Sequence, residues 1–225
     1  MTTVLEAIQN GAKQLTDAKV AFGHGTANAF DEAAWLVLWK AGLPLDSSLE
    51  NPNIDQNSVA NTPLSGVLID SIAALFIARI ASRKPAAYLT PEAWLQGIPF
   101  YIDERAIVPR SFIAELLADG SFDDWLGPHT KRVLDLCTGN GSLAVLAAMT
   151  YPDTTVVGAD ISADALEVAH INVVKHALQD RISLVESDSW HGLNSEVFDL
   201  VLCNPPYVNS ASMAALPLEI GRAHV

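Results

Sequence analysis

The stretch KRVLDLCTGNGSLAVLAAMTYPDTTVVGAD, residues 131–160, decides the fold. A short apolar run, KRVLDLCT, breaks at a loop holding Gly139 and Gly141. The chain then continues through a helical run, GSLAVLAAMTY, and returns to a second β-rich run, TTVVGAD. Strand, helix and strand in that order spell two parallel strands joined by a right-handed crossover. The pattern recurs downstream, where ADALEVAHINVVKHAL, with Ser162 as its N-cap, leads to ISLVESD, and FDLVLCN supplies a fourth strand. Alternation of this kind predicts an open α/β sheet, and near-continuous apolar strands predict burial on both faces.

Upstream the period changes. PAAYLTPEAWLQGIPFYIDERAIVPRS alternates aromatic and β-branched residues around Gly97 and Pro99, which predicts a hairpin. Before it, VLEAIQNGAKQLTDAKVAF and DEAAWLVLWKAG carry helical spacing, the second with acids at its start and Gly42 at its end. In PLSGVLIDSIAALFIARIASRK, Leu68, Ile72, Leu75, Phe76 and Ile80 mark one buried stripe, and Pro85 is expected to stop the helix. The expected organisation is a helical domain over 1–85, a β-hairpin linker over 86–110 and a sheet domain over 111–218.

The chain has 225 residues, half of them apolar, a formal charge of −13 and a pI near 4.6. That composition suits a cored protein, and its acidity repels nucleic acid while attracting a basic protein partner. The apolar run SIAALFIA is too short to span a bilayer, and the N-terminus lacks a signal-peptide pattern. Two cysteines and six scattered histidines form no metal-ligand spacing. A reducing cytoplasm is expected, with no metal, no membrane and no direct DNA binding. Cys137 and Cys203 read as small buried fillers. GHGT reads as an inter-helix turn, and the segment around Arg110 reads equally as substrate contact or solvated surface.

DLCTGNGSLA, Asp135 to Ala144, joins the first strand to its helix. Its glycines let main chain approach a ligand, and a helix N-terminus supplies unpaired N–H groups. Asp135, Asp160 and Asp188 each stand at the carboxyl end of a strand, the edge where open α/β sheets bind ligands. The spacing of Asp160 after Gly139 suits a ribose-binding carboxylate. The loop also fits a dinucleotide pattern, so a nicotinamide or flavin and S-adenosylmethionine both remain open here.

The fourth strand ends in Asn204-Pro205-Pro206-Tyr207. The prolines fix φ and remove N–H donors, leaving the Asn204 side-chain oxygen and the Pro205 carbonyl as a rigid acceptor pair beside an aromatic face. That arrangement suits a planar NH₂ group, a carboxamide or an exocyclic base amine. Accepting both N–H bonds localises the nitrogen lone pair and aims it at a methyl donor.

D-x-x-x-G-x-G followed by N-P-P-Y resembles the amino-methyltransferases of the Rossmann-like S-adenosylmethionine class. FGHGTANAFDEAAWLVL, KPAAYLTPEAWLQGIPFYIDERAIVPRS and DLCTGNGSLA narrow the resemblance to the protein glutamine methyltransferases, from about Gly23 to Leu218. Within them, the segments are similar to the bacterial branch that modifies the third protein of the large ribosomal subunit. The resemblance implies N(5)-methylation of one glutamine on a basic ribosomal protein, free or in a large-subunit precursor. It places the methionine part of the cofactor against Thr138, Gly139, Asn140 and Gly141, with Asp135 at the loop's start. It places Asp160 at the ribose and Asp188 and Ser189 near the adenine. Asn204 and Pro205 would hold the substrate amide, with Tyr207 packed against it.

The family sheet has seven strands, of which four are legible here, so the catalytic domain is expected to be truncated. Residues 219–225 are expected to be a non-native tail, since EIGRAHV matches translated adapter sequence. A chain so shortened would expose a strand edge and be poorly active and marginally stable. The competing readings are an adenine-specific DNA methyltransferase, an NAD(P)-binding oxidoreductase, and a non-catalytic ribosome-associated module.

Overall fold

A computed structural model describes residues 2–23, 25–49, 58–127, 129–193 and 196–206. The described residues form two compact units that meet in sequence between Thr90 and Pro91.

The first unit is helical. Helix α1 (Val4–Asp17) starts at a reciprocal capping box: Glu6 N–H donates to Thr3 Oγ1, and Thr3 N–H donates to Glu6 Oε2. It buries Val4, Ile8, Gly11 and Leu15 on one face. Gly11 is needed there because a Cβ would fall 2.0 Å from the Phe76 ring. Helix α2 (Ala29–Ala41) is capped by Asn28 and closed by Gly42 in the left-handed region at φ 68°. Helix α3 (Gly66–Ser82) buries Ile72 and Phe76, with Leu68, Leu75 and Ile80 half-buried beside them.

Two expectations need correction in this unit. Helix α3 ends before Pro85, because Arg83 takes a left-handed cap at φ 57°. Its guanidinium donates to the carbonyls of Ala18 and Lys19. The apolar stripe also includes a charge: Arg79 is 1% exposed and pairs with Glu32 at 2.7 Å. Removing one member of such a pair costs about 3–5 kcal/mol, because it strands the other charge in the interior. A four-residue helix, α4 (Ala86–Leu89), follows Pro85, so the segment expected to form a linker from residue 86 begins as helix.

The second unit opens with the hairpin, β1 (Ala93–Leu95) paired antiparallel with β2 (Ile98–Phe100). Gln96 and Gly97 form the turn at φ 50° and 73°, the left-handed pair that matches strand twist. An irregular segment with a turn at Glu104–Ala106 runs from Tyr101 to Ser111, and helix α5 (Phe112–Ala118) follows. Four parallel strands then alternate with helices: β3 (Arg132–Leu136), α6 (Ser142–Thr150), β4 (Thr155–Asp160), α7 (Ala163–Lys175), β5 (Ile182–Glu186) and β6 (Leu200–Cys203). The order is β5-β4-β3-β6, so the sheet reverses direction of growth at β3. Ser162 caps α7 as the sequence predicts, with its hydroxyl accepting from Ala165 N–H.

Burial on both faces holds for β3 and β4 and fails for the outer strands. β3 is buried from Val133 to Leu136, whereas β6 alternates, with Leu202 buried and Val201 and Cys203 exposed. Alpha helix α6 is apolar on every side and buries Ser142 through Ala148 in the main core. Most of the chain's excess acid lies in this second unit.

Candidate functional site

A cavity of about 410 Å³ opens at the carboxyl edge of the sheet, beside the switch point at β3. Its walls come from the glycine loop, the ends of β4, β5 and β6, and the Arg105–Ser111 segment.

The glycine loop is built around a buried carboxylate. Asp135 Oδ2 accepts from Thr138 Oγ1 at 2.5 Å and from Ala144 N–H at 2.9 Å, which ties the loop to the first turn of α6. Burial pushes the Asp135 carboxyl up to about 7, against the opposing pull of these two hydrogen bonds. Its other oxygen, Oδ1, meets no donor. Asp135 is fully buried and does not line the cavity, so it shapes the loop from beneath.

The two loop glycines do different work. At Gly139, φ is +54° and a Cβ would point into open space, so main chain is bared to the cavity there. At Gly141, φ is +78° and a Cβ would lie 3.0 Å from Ala169 Cβ, so this glycine serves the close packing of α6 on α7. Its N–H donates to Thr138 O, and it lies outside the cavity wall. Thr138 and Asn140 do line it. Asn140 is 3% exposed, its Oδ1 accepts from Ser142 N–H, and its Nδ2 has no partner.

Asp160 ends β4 on the cavity wall. Its Oδ2 accepts from Gly139 N–H at 2.8 Å and its Oδ1 from Ser162 N–H at 3.0 Å, so it binds the loop to the N-terminus of α7. Asp188 and Ser189 lie on the wall just past β5, with Ser189 left-handed at φ 53°. Sequence reasoning missed Ser187, whose buried hydroxyl donates to Ser189 O and accepts from Gly192 N–H. It holds that turn, and its position directly after the strand was the available signal.

Asn204 and Pro205 line the mouth, together with Pro206. Asn204 Nδ2 donates to the main-chain carbonyl of Arg110 at 3.2 Å. This bond occupies the donor end of the amide, and the oxygen end can only accept. The segment around Arg110 is part of the cavity wall. Tyr207 lies outside the described residues.

The cysteines depart from expectation. Cys203 is exposed, and Cys137 lines the cavity in a left-handed conformation at φ 62°. Burial, then the neighbouring Cys203, pushes the Cys137 thiol up to about 11, so it stays protonated near neutrality. Among the described residues there is no grouping of His, Cys, Asp and Glu that could hold a metal, and no helix long and apolar enough to cross a membrane.

The wall fits S-adenosylmethionine on three observations. Gly139 leaves room for a ligand at bared main chain, Asn140 belongs to the cavity wall, and Asp160 stands at the carboxyl end of the neighbouring strand. Residues 115–218 match the family described as "Methyltransferase small domain". Fold and matched domain thus define a Rossmann-like methyltransferase.

The chain is 45% identical to a "Ribosomal protein uL3 glutamine methyltransferase" of Burkholderia pseudomallei, over 96% of this chain and 71% of that protein. A protein of the same name from Bordetella pertussis is 45% identical over 97% of this chain and 71% of its own length. One from Neisseria gonorrhoeae is 41% identical over the same shares. The chain belongs to the ribosomal protein uL3 glutamine methyltransferase family. This membership chooses between the cofactors that the glycine loop left open.

Proposed function

We propose that this chain transfers a methyl group from S-adenosylmethionine to the side-chain amide nitrogen of a glutamine on ribosomal protein uL3. The observation that carries the proposal is the Asn204 amide, anchored through Nδ2 on Arg110 O at the mouth of the cavity. Anchored so, Asn204 Oδ1 accepts one N–H of the substrate amide, and the Pro205 carbonyl accepts the other. The bound cofactor supplies a methyl on a positively charged sulfur. An amide nitrogen is a poor nucleophile because its lone pair is delocalised into the carbonyl. Two fixed acceptors oppose that delocalisation and orient the lone pair, and they do so without reorganising during the reaction. As the N–C bond forms, the methyl–sulfur bond would break with its electron pair left on sulfur, and the nitrogen's surplus proton, hydrogen-bonded to Asn204 Oδ1, would pass to water.

In this reading Thr138, Gly139 and Asn140 face the methionine part, Asp160 the ribose hydroxyls, and Asp188 and Ser189 the adenine. Asp135 and Gly141 support the loop without touching the ligand. The acidity of the second unit favours a basic substrate and opposes a DNA backbone. A ribosomal protein, free or in a large-subunit precursor, has that charge, and its modification would take place in the cytoplasm.

The test is methyl incorporation from radiolabelled S-adenosylmethionine with uL3 and with duplex DNA offered separately. Label on a uL3 glutamine is expected. Label on DNA, NADH binding tighter than S-adenosylmethionine binding, or cofactor binding with no label on uL3 would overturn the proposal.

A further inference from the structure

Asn172 sits on α7, and its side chain is 0% exposed. Its Nδ2 donates to the carbonyl of Asn140 at 2.9 Å and to the carbonyl of Tyr101 at 2.9 Å. Its Oδ1 accepts from Tyr101 N–H at 2.7 Å. Both donors and the acceptor are therefore spent on main-chain groups of two segments distant in sequence. Asn140 belongs to the glycine loop. Tyr101 is the first residue after β2, and the chain that follows lines the cavity from Arg105 to Arg110, whose carbonyl anchors Asn204.

We propose that Asn172 is a positioning residue that sets the distance between the cofactor loop and the segment supporting the substrate corner. Three main-chain groups converge on one buried amide, and no other side chain of that length offers two donors and one acceptor. Aspartate would keep the acceptor and lose both donations, and alanine would lose all three. The segment is also tied to α7 by Arg105, which pairs with Glu167 at 2.6 Å, and β2 just before it is tied to the end of α7, where His176 Nε2 lies 3.0 Å from Pro99 O. Glu167 is 69% exposed, and solvated pairs hold geometry weakly. Of these tethers, the buried amide is the one that also reaches the glycine loop, so it sets the spacing. Sequence gives little warning of this, since Asn172 reads as a polar interruption in an apolar helix.

The inference rests on the cavity holding S-adenosylmethionine and on Asn204 holding the amide. Asn172→Ala is compared with Val173→Ala, which hollows the core one residue along the same helix and removes none of the hydrogen bonds to Asn140 or Tyr101. Melting temperature, the S-adenosylmethionine dissociation constant by calorimetry, and kcat and KM for uL3 methylation are measured for each. At comparable loss of melting temperature, Asn172→Ala is expected to weaken cofactor binding tenfold or more and to lower kcat. Val173→Ala is expected to stay within twofold of the unaltered chain on both. Equal cofactor affinities in the two variants would overturn the positioning role. Should Asn172→Ala fail to fold, Asn172→Asp keeps the side-chain shape and the Tyr101 bond, and the same criterion applies. An unaltered chain that binds no S-adenosylmethionine would instead remove the reading of the cavity, and the inference with it.

Discussion

The two edges of the sheet treat their polar groups in opposite ways. At the amino edge Arg181 donates to the carbonyls of Ala148, Tyr151 and Thr154, at 2.6 to 3.0 Å. Asp199 accepts from the N–H groups of Lys131 and Arg132, which hold its carboxyl below the usual range. A hollow of about 290 Å³ lies there as well, beside Tyr151 and Thr154. At the carboxyl edge Asp135 Oδ1 and Asn140 Nδ2 are buried without partners, and Cys137, Gly139 and Ser189 hold left-handed backbone. Volume alone does not separate the edges. Closed hydrogen-bonding groups mark the amino edge as scaffold, whereas at the carboxyl edge the left-handed Cys137, Gly139 and Ser189 line the cavity.

The largest expected effect that would sharpen this contrast comes from Asp135. An unfolded aspartate titrates near its ordinary 3.8, and the buried one near 7. The unfolded chain therefore releases its proton first. Stability from protonated Asp135 is complete below pH 4 and declines as pH rises through about 7, by on the order of 4 kcal/mol. Asp135→Asn retains an oxygen for Thr138 and Ala144 and has no charge to bury. Chemical denaturation from pH 4 to 8 should show a profile that diverges from the unaltered chain in that window. Parallel profiles would mean that Asp135 is not an open group of this edge.

Next comes Asn204→Ala. Loss of one preorganised acceptor should lower kcat for glutamine methylation about 100- to 1,000-fold, roughly 3–4 kcal/mol. S-adenosylmethionine affinity should stay within twofold, read by calorimetry. Unchanged methylation would reduce the Asn-Pro-Pro corner to scaffold.

The smallest effect tests the closed edge. Arg181→Met should cost about 2 kcal/mol of stability, since it strands three carbonyls that lose a charged donor. Its cofactor dissociation constant should not move. A tenfold weakening in a folded Arg181→Met chain would break the distinction between the edges.

Much of this architecture was legible in sequence because it rests on periodicity and punctuation. The β-α-β alternation from Lys131 to Asp160 gave the parallel sheet, Ser162 and Gly42 gave helix ends, and Gly97 gave the hairpin turn. Helix α5 escaped because only Ala114 and Leu117 of its seven residues are buried, too few to establish a period. The Arg105–Ser111 wall escaped for a different reason. It acts through the main-chain carbonyl of Arg110, and any residue type supplies that group. The motif places Asp135 and Gly141 at the loop, while the structure shows the Asp135 side chain buried and the approach of Ala169 where a Cβ at Gly141 would stand. A motif preserves residue identity and spacing but leaves the direction of each side chain to packing. Ser187 and Asn172 show the converse, since neither belongs to a pattern and each organises main chain that does.

The anchoring of Asn204 on Arg110 has a consequence for product identity. On the proposed reading the corner recognises a nitrogen by counting its hydrogens: two acceptors need two N–H bonds. A glutamine that already carries one methyl group presents a single hydrogen, and its new carbon would press on an oxygen that expects a donor. The same fixed geometry that activates the fresh amide therefore rejects the finished one, and modification stops after a single round.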